Sequence, residues 1–111
     1  MRILSEVTSK GDLKKSDNLF DGVMVKGVVD VAKGILAVDA PMHADLEQML
    51  LETGSRQDDL WGINLWLDDD EDFIEFDSMI NIRPRQGNKT RGVDDEGTQI
   101  KIKDIVAKWV H

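Results

Sequence analysis

The chain has 111 residues, 41% hydrophobic and 32% charged, a balance that supports one folded core and argues against disordered or fibrous classes. Acidic residues outnumber basic ones by 22 to 14, and the resulting net charge of -8 repels phosphate polymers and anionic lipid; the absence of cysteine removes disulfides, thiolate metal ligands and thiol nucleophiles together. No window approaches the ~18 apolar residues of a membrane span, and no leader pattern opens the chain, so the expectation is a cytoplasmic protein with a single domain over residues 1–111.

Taken in chain order, Met1 to Val7 carries Ile3 and Leu4 and reads as a short strand. Ser9 followed by Asp12 has the spacing of a capping box, and Leu13 and Phe20, two helical turns apart, predict a helix ending near Gly22. From Val23 to Val31 the odd positions are Val23, Val25, Gly27, Val29 and Val31, the period of two that one buried sheet face produces. Lys33-Gly34 suits a turn, and Ile35 to Val38 suit the return strand of a hairpin. Pro41 stops that strand. Leu46, Met49, Leu50 and Thr53 then fall at helical spacing up to Gly54, predicting a second helix over Met42 to Thr53.

Two alternating runs follow. In Leu60 to Leu67 the residues Trp61, Ile63, Leu65 and Leu67 share a face, and in Phe73 to Arg83 so do Ile74, Phe76, Ser78, Ile80 and Ile82. With Asp69-Asp70 as the turn, facing positions sum to 139: Leu65 meets Ile74, Ile63 meets Phe76 and Trp61 meets Ser78. The opposite face then carries Asn64, Glu75, Asp77, Asn81 and Arg83, with Trp66 and Phe73 paired near the turn. Pro84, Gly87, Asn88 and Gly92 mark an irregular loop. Asp94, Asp95 and Glu96 suit a helix N-terminus, and Ile102, Ile105, Val106 and Trp109 form the apolar stripe of a last helix. The predicted class is α+β, a mixed but largely antiparallel sheet of four to five strands with three helices in the order β-α-β-β-α-β-β-α, the helices on one face and a polar face opposite.

The stretch from Asp77 to Val93, Asp-Ser-Met-Ile-Asn-Ile-Arg-Pro-Arg-Gln-Gly-Asn-Lys-Thr-Arg-Gly-Val, resembles the signature of an uncharacterised prokaryotic family, domain of unknown function 5674. Val25-Lys26 through Val29-Asp30, His43-Ala44-Asp45 and Asp59 to Asn64 resemble that family's segments in the same order. The resemblance spans nearly the whole chain and implies one intact domain without lending it an activity. Arg85 stands where the family pattern has a small polar residue, which counts against it as a site residue; Thr90 replaces the usual serine, and Gly97 interrupts the start of the last helix.

The basic loop is the main candidate site. Four of the 14 basic residues lie between Arg83 and Arg91 with no acid among them. Arg83 and Arg91 offer forked donors to an anion, Gln86 and Asn88 add amides, Lys89 adds charge, and Asn81 and Asn64 stand ready as a floor. The structural alternative is that the arginines pair with Asp94, Asp95 or the polar face and only pin the loop. No dinucleotide or phosphate-loop fingerprint is present, no cofactor is implied, and the loop holds no aromatic residue for base stacking, which further disfavours nucleic acid. The run Asp68 to Asp72 lacks the alternation and glycine of a calcium loop and reads as a solvated turn, so no metal site is expected.

Three functional readings follow. The first is a non-enzymatic binding module for a small anionic ligand held by Asn81, Arg83, Gln86, Asn88, Lys89 and Arg91. The second is a small hydrolase-like or lyase-like enzyme using Glu75, Asp77 and His43 as acid–base groups; Glu75 and Asp77 are about 7 Å apart on one strand face, and His43, grouped with Glu47 on an exposed helix face, is one of only two histidines. The third is an interaction domain that self-associates through exposed Trp66 and Phe73 or a sheet edge.

Overall fold

The computed structural model describes all 111 residues. Its elements run β1 (Arg2–Ile3), α1 (Lys10–Leu13), β2 (Met24–Asp30), β3 (Ile35–Val38), α2 (His43–Glu52), β4 (Leu60–Trp66), β5 (Ile74–Glu75) and α3 (Glu96–Trp109), with single 3-10 turns at Gln57–Asp59, Met79–Asn81 and Pro84–Gln86. The predicted element order is the observed one. The strands form one sheet in the order β1-β3-β2-β4-β5, every neighbour pair antiparallel. No helix is long and apolar enough to cross a membrane.

The hairpin between β2 and β3 is held by a buried carboxylate. Asp30 Oδ1 accepts from the backbone N–H groups of Ala32 and Lys33 at 2.9 Å each, and Oδ2 accepts from Ser55 Oγ at 2.7 Å. Gly34 closes the turn at φ +68, a value that disfavours any side chain. The burial cost of the Asp30 charge is thus offset by three donors, two of which build the turn itself.

Both faces of the sheet are covered, which corrects the expectation of helices on one side and a polar face on the other. Val25, Val29, Leu36, Val38, Ile63 and Leu65 pack beneath Ile102 and Val106 of α3, while Val28, Ala37 and Leu60 pack beneath Leu46 and Leu50 of α2. The odd positions of β2 do face one core, as the period of two requires, but its even position Val28 faces a second. The apolar stripes of α3 and α2 are buried on opposite faces, because β2, β3 and β4 carry apolar residues on both.

Three local expectations also change. α1 has the predicted cap, with Ser9 Oγ accepting from Asp12 N at 3.0 Å, yet it ends at Leu13; Phe20 instead bridges to Met24. The 139 register holds where β4 meets β5, at Leu65 with Ile74 and Asn64 with Glu75, and then stops, so the predicted facings of Ile63 with Phe76 and Trp61 with Ser78 do not form. Trp66 and Phe73 are half-buried rather than exposed: Trp66 Nε1 donates to Glu75 Oε1 at 3.3 Å, and Phe73 lies under the Lys10 ammonium at 4.3 Å. The acidic run serves α1, since Asp70 and Asp68 pair with Lys10 and Lys14, while Asp69 accepts from the backbone of Glu71 and Asp72.

Candidate functional site

The ladder between β4 and β5 ends because a side chain takes over from it. At the 139 register Asp77 would stand opposite Gly62; in its place lies the carboxamide of Asn81, whose Oδ1 accepts from Gly62 N at 2.8 Å and whose Nδ2 donates to Gly62 O at 3.0 Å. One side chain thereby satisfies the two backbone groups that a neighbouring strand would have paired. Ser78 packs so closely over Gly62 that a Cβ at that glycine would fall 2.5 Å from Ser78 Cβ, so only glycine fits. Ser78 is buried, as expected, but over Gly62 rather than facing Trp61.

The same Asn81 reaches into the loop, donating to Arg91 O at 2.9 Å, and Asn88 completes the network. Asn88 Nδ2 donates to the carbonyls of Asn81 at 2.7 Å and Gly92 at 2.9 Å, and Asn88 Oδ1 accepts from Asp94 N at 2.7 Å. Both asparagines are buried and their amides are consumed internally. Arg91 Nε pairs with Asp77 Oδ1 at 2.6 Å; Lys89 extends into solvent, with only its backbone N–H engaged, at 3.0 Å from Asp94 Oδ2. Asp94 is held below the usual carboxylate range by Thr90 Oγ1 and by that Lys89 N–H.

Arg83 turns the other way. Its guanidinium lies 4.1 Å above the Trp61 ring, one terminal nitrogen donates to Gln57 O, and the other donates to Leu60 O at 2.5 Å. Burial depresses its pKa against the opposing pull of Glu47, Asp58 and Asp59. Gln86 Nε2 donates to Asp58 O at 3.0 Å. Between the Gln57–Asp59 turn and the segment from Ile82 to Gln86 lies an open cleft of about 410 Å³, within the size range of small-molecule sites. Of the sequence-predicted residues, the cleft gathers Arg83 and Gln86; Asn81, Asn88, Lys89 and Arg91 lie outside its lining. It adds Gln57, Asp58 and Arg85, of which Arg85 is exposed and takes no part in the ion pairs of the chain. Arg85 departs from the family pattern, which counted against it in the sequence, and its place in the cleft lining reverses that expectation; Gln57 and Asp58 carried no sequence signal, because their approach depends on where the 3-10 turn after α2 lands.

A second polar group gathers at the N-terminus of α2. His43 is buried, not exposed as its helix position suggested, and its Nε2 lies 2.8 Å from Ile63 O. Burial holds its pKa below 6.5, with Lys26 acting in the same direction and the Ile63 carbonyl, Asn64 and Asp77 against it. The neutral ring thus donates from Nε2. Asn64 Nδ2 donates to Glu75 Oε1 at 2.8 Å, so Asn64 and Trp66 together orient that carboxylate, while Asn64 Oδ1 is buried with no hydrogen-bond partner.

The family model described as "Protein of unknown function (DUF5674)" matches residues 2–109, and the chain belongs to that family. Neither the curated proteins nor the solved structures yield a match.

Proposed function

We propose that this member of DUF5674 is a binding module for a small anionic ligand, held in the cleft between the Gln57–Asp59 turn and the basic loop. The observation that carries the reading is Arg85: an exposed guanidinium without an internal partner, lining a cleft together with the immobilised Arg83, the side chain of Gln57, and Gln86, whose Nε2 keeps one N–H beyond its bond to Asp58 O. Asn81, Asn88 and Arg91 then act as the frame that fixes the loop, and Lys89 contributes long-range attraction in a chain of net charge -8. Calorimetric titration with inorganic phosphate and small carboxylates tests this. Saturable binding that disappears in Arg85→Ala and survives in Arg91→Ala is the expected result, whereas binding that survives Arg85→Ala and disappears in Arg91→Ala moves the site to the other end of the loop.

The second reading is supported by the orientation of Glu75. Two donors aim its carboxylate, and one of them, Asn64, also acts on the neutral His43, an arrangement that suits acid–base work in a small hydrolase-like or lyase-like enzyme with Asp77 as a third group. Conversion of a bound compound by the wild type, lost in Glu75→Gln with binding retained, distinguishes this reading from simple binding.

A further inference from the structure

Arg83 cannot meet a ligand in the usual way. Both terminal nitrogens donate to backbone carbonyls, of Gln57 and of Leu60, and Nε is buried without a partner. One flat face is covered by the Trp61 ring at 4.1 Å. Arg83 lines the cleft, and with its terminal nitrogens spent and Trp61 on one side, the part of the guanidinium left to meet a ligand is its other face, a planar, charged surface. Planar conjugated rings stack on that surface, and a guanidinium already backed by an aromatic ring is held in the orientation that stacking needs.

The rest of the lining suits the edge and the tail of such a ring. Pro84 and Ile82 supply apolar contact, the side-chain amides of Gln57 and Gln86 and the Asp58 carboxylate supply donors and acceptors, and Arg85 supplies one exposed cation. From this geometry we infer that the ligand of the cleft is a planar heteroaromatic ring carrying a single anionic group, of mononucleotide size, stacked on the outer face of Arg83 with its anionic group toward Arg85. This inference rests on the anion-binding reading above and narrows it. A polynucleotide is the wrong partner for the same site, because the charge of -8 opposes a phosphate chain beyond the one contact Arg85 makes.

The probes are adenosine 5′-monophosphate, ribose 5-phosphate and inorganic phosphate, titrated against the full chain by calorimetry. The expected result is that the nucleotide binds about tenfold tighter than the sugar phosphate, the worth of one ring stacked on a cation. In Arg83→Lys, which keeps the charge and loses the plane, that preference should fall to about twofold or less. If Arg83→Lys does not fold, the wild type still decides: the ring should shift the Arg83 side-chain N–H resonances in nuclear magnetic resonance spectra, and ribose 5-phosphate should leave them in place. Equal affinity for nucleotide and sugar phosphate overturns the stacking inference and leaves the anion reading standing. A nucleotide preference that persists in a folded Arg83→Lys overturns Arg83 as the platform. No binding of any of the three overturns both.

Discussion

The two ends of the basic loop hold similar residues in opposite circumstances. From Asn88 to Arg91 the amide is consumed by the chain itself and the guanidinium is tied along one edge, away from the cleft: Asn88 ties four backbone groups together, and Arg91 is bound through its carbonyl to Asn81 and through its Nε to Asp77. From Arg83 to Gln86 the internal bonds fix the backbone and the Arg83 plane, yet they leave one guanidinium, that of Arg85, and one cleft unspent. The difference teaches that a count of donors does not locate a site. What matters is which donors remain after the fold has taken what it needs.

The comparison breaks most visibly at Asn81. Asn81→Ala should leave Gly62 N–H and Gly62 C=O without partners in a buried setting and take from Arg91 C=O one of its two donors, Ser78 N–H remaining, at a cost of about 3–5 kcal/mol, and thermal denaturation should show the melting temperature falling by more than about 10 °C. A loss below ~1 kcal/mol would mean that water replaces the amide and that the loop is not framed as described. Gly62→Ala should cost about 1–3 kcal/mol by overpacking against Ser78, and Ser78→Gly in the same chain should recover much of it, a pattern that equilibrium unfolding of the two single variants and the double variant would reveal.

Acid should act through His43. Its folded pKa lies below its unfolded value, so the unfolded chain takes up a proton that the folded one refuses; the stabilisation is complete above 6.5 and is lost as the pH falls from there toward the folded value. Denaturant midpoints should therefore decline between pH ~7.5 and ~5.5 in the wild type and decline less in His43→Gln, which keeps a donor for the Ile63 carbonyl. The smallest changes in stability belong to the ends of the loop that face solvent. Arg91→Ala should cost no more than ~1 kcal/mol, since its pair with Asp77 is half-exposed, and Arg85→Ala should stay within ~0.5 kcal/mol while removing anion binding.

Much of the architecture was legible because it is written in periods and turn residues. Gly34 placed the hairpin between β2 and β3, Pro41 and Gly54 bracketed α2, and Leu65 met Ile74 in the register that alternation alone required. The failures have physical causes as specific. The alternation from Phe73 to Ile82 looked like a long strand, but Asn81 replaces the ladder at Gly62, and a side chain that pairs like a backbone leaves no periodic trace. The period of two at Val23 to Val31 pointed to a single buried face, and the second core under Val28 and Ala37 is unmarked in the sequence because Lys26 and Asp30, on the same side of the strand as Val28, give that side a polar pattern. Among the candidate site residues, Arg83 and Gln86 were recognised as ligand donors by type. Their partners, the carbonyls of Gln57, Asp58 and Leu60, are main-chain atoms on a distant turn and therefore invisible to residue-type reasoning.

Amide chemical shifts of the full chain, followed while adenosine 5′-monophosphate is added, decide which end of the basic loop holds the ligand. Saturable shifts concentrated at Gln57, Asp58, Arg83, Arg85 and Gln86, with Asn88 to Gly92 unmoved, are the expected result. Shifts centred on Lys89, Arg91 and Asp77, or none at saturating nucleotide and phosphate, would contradict it.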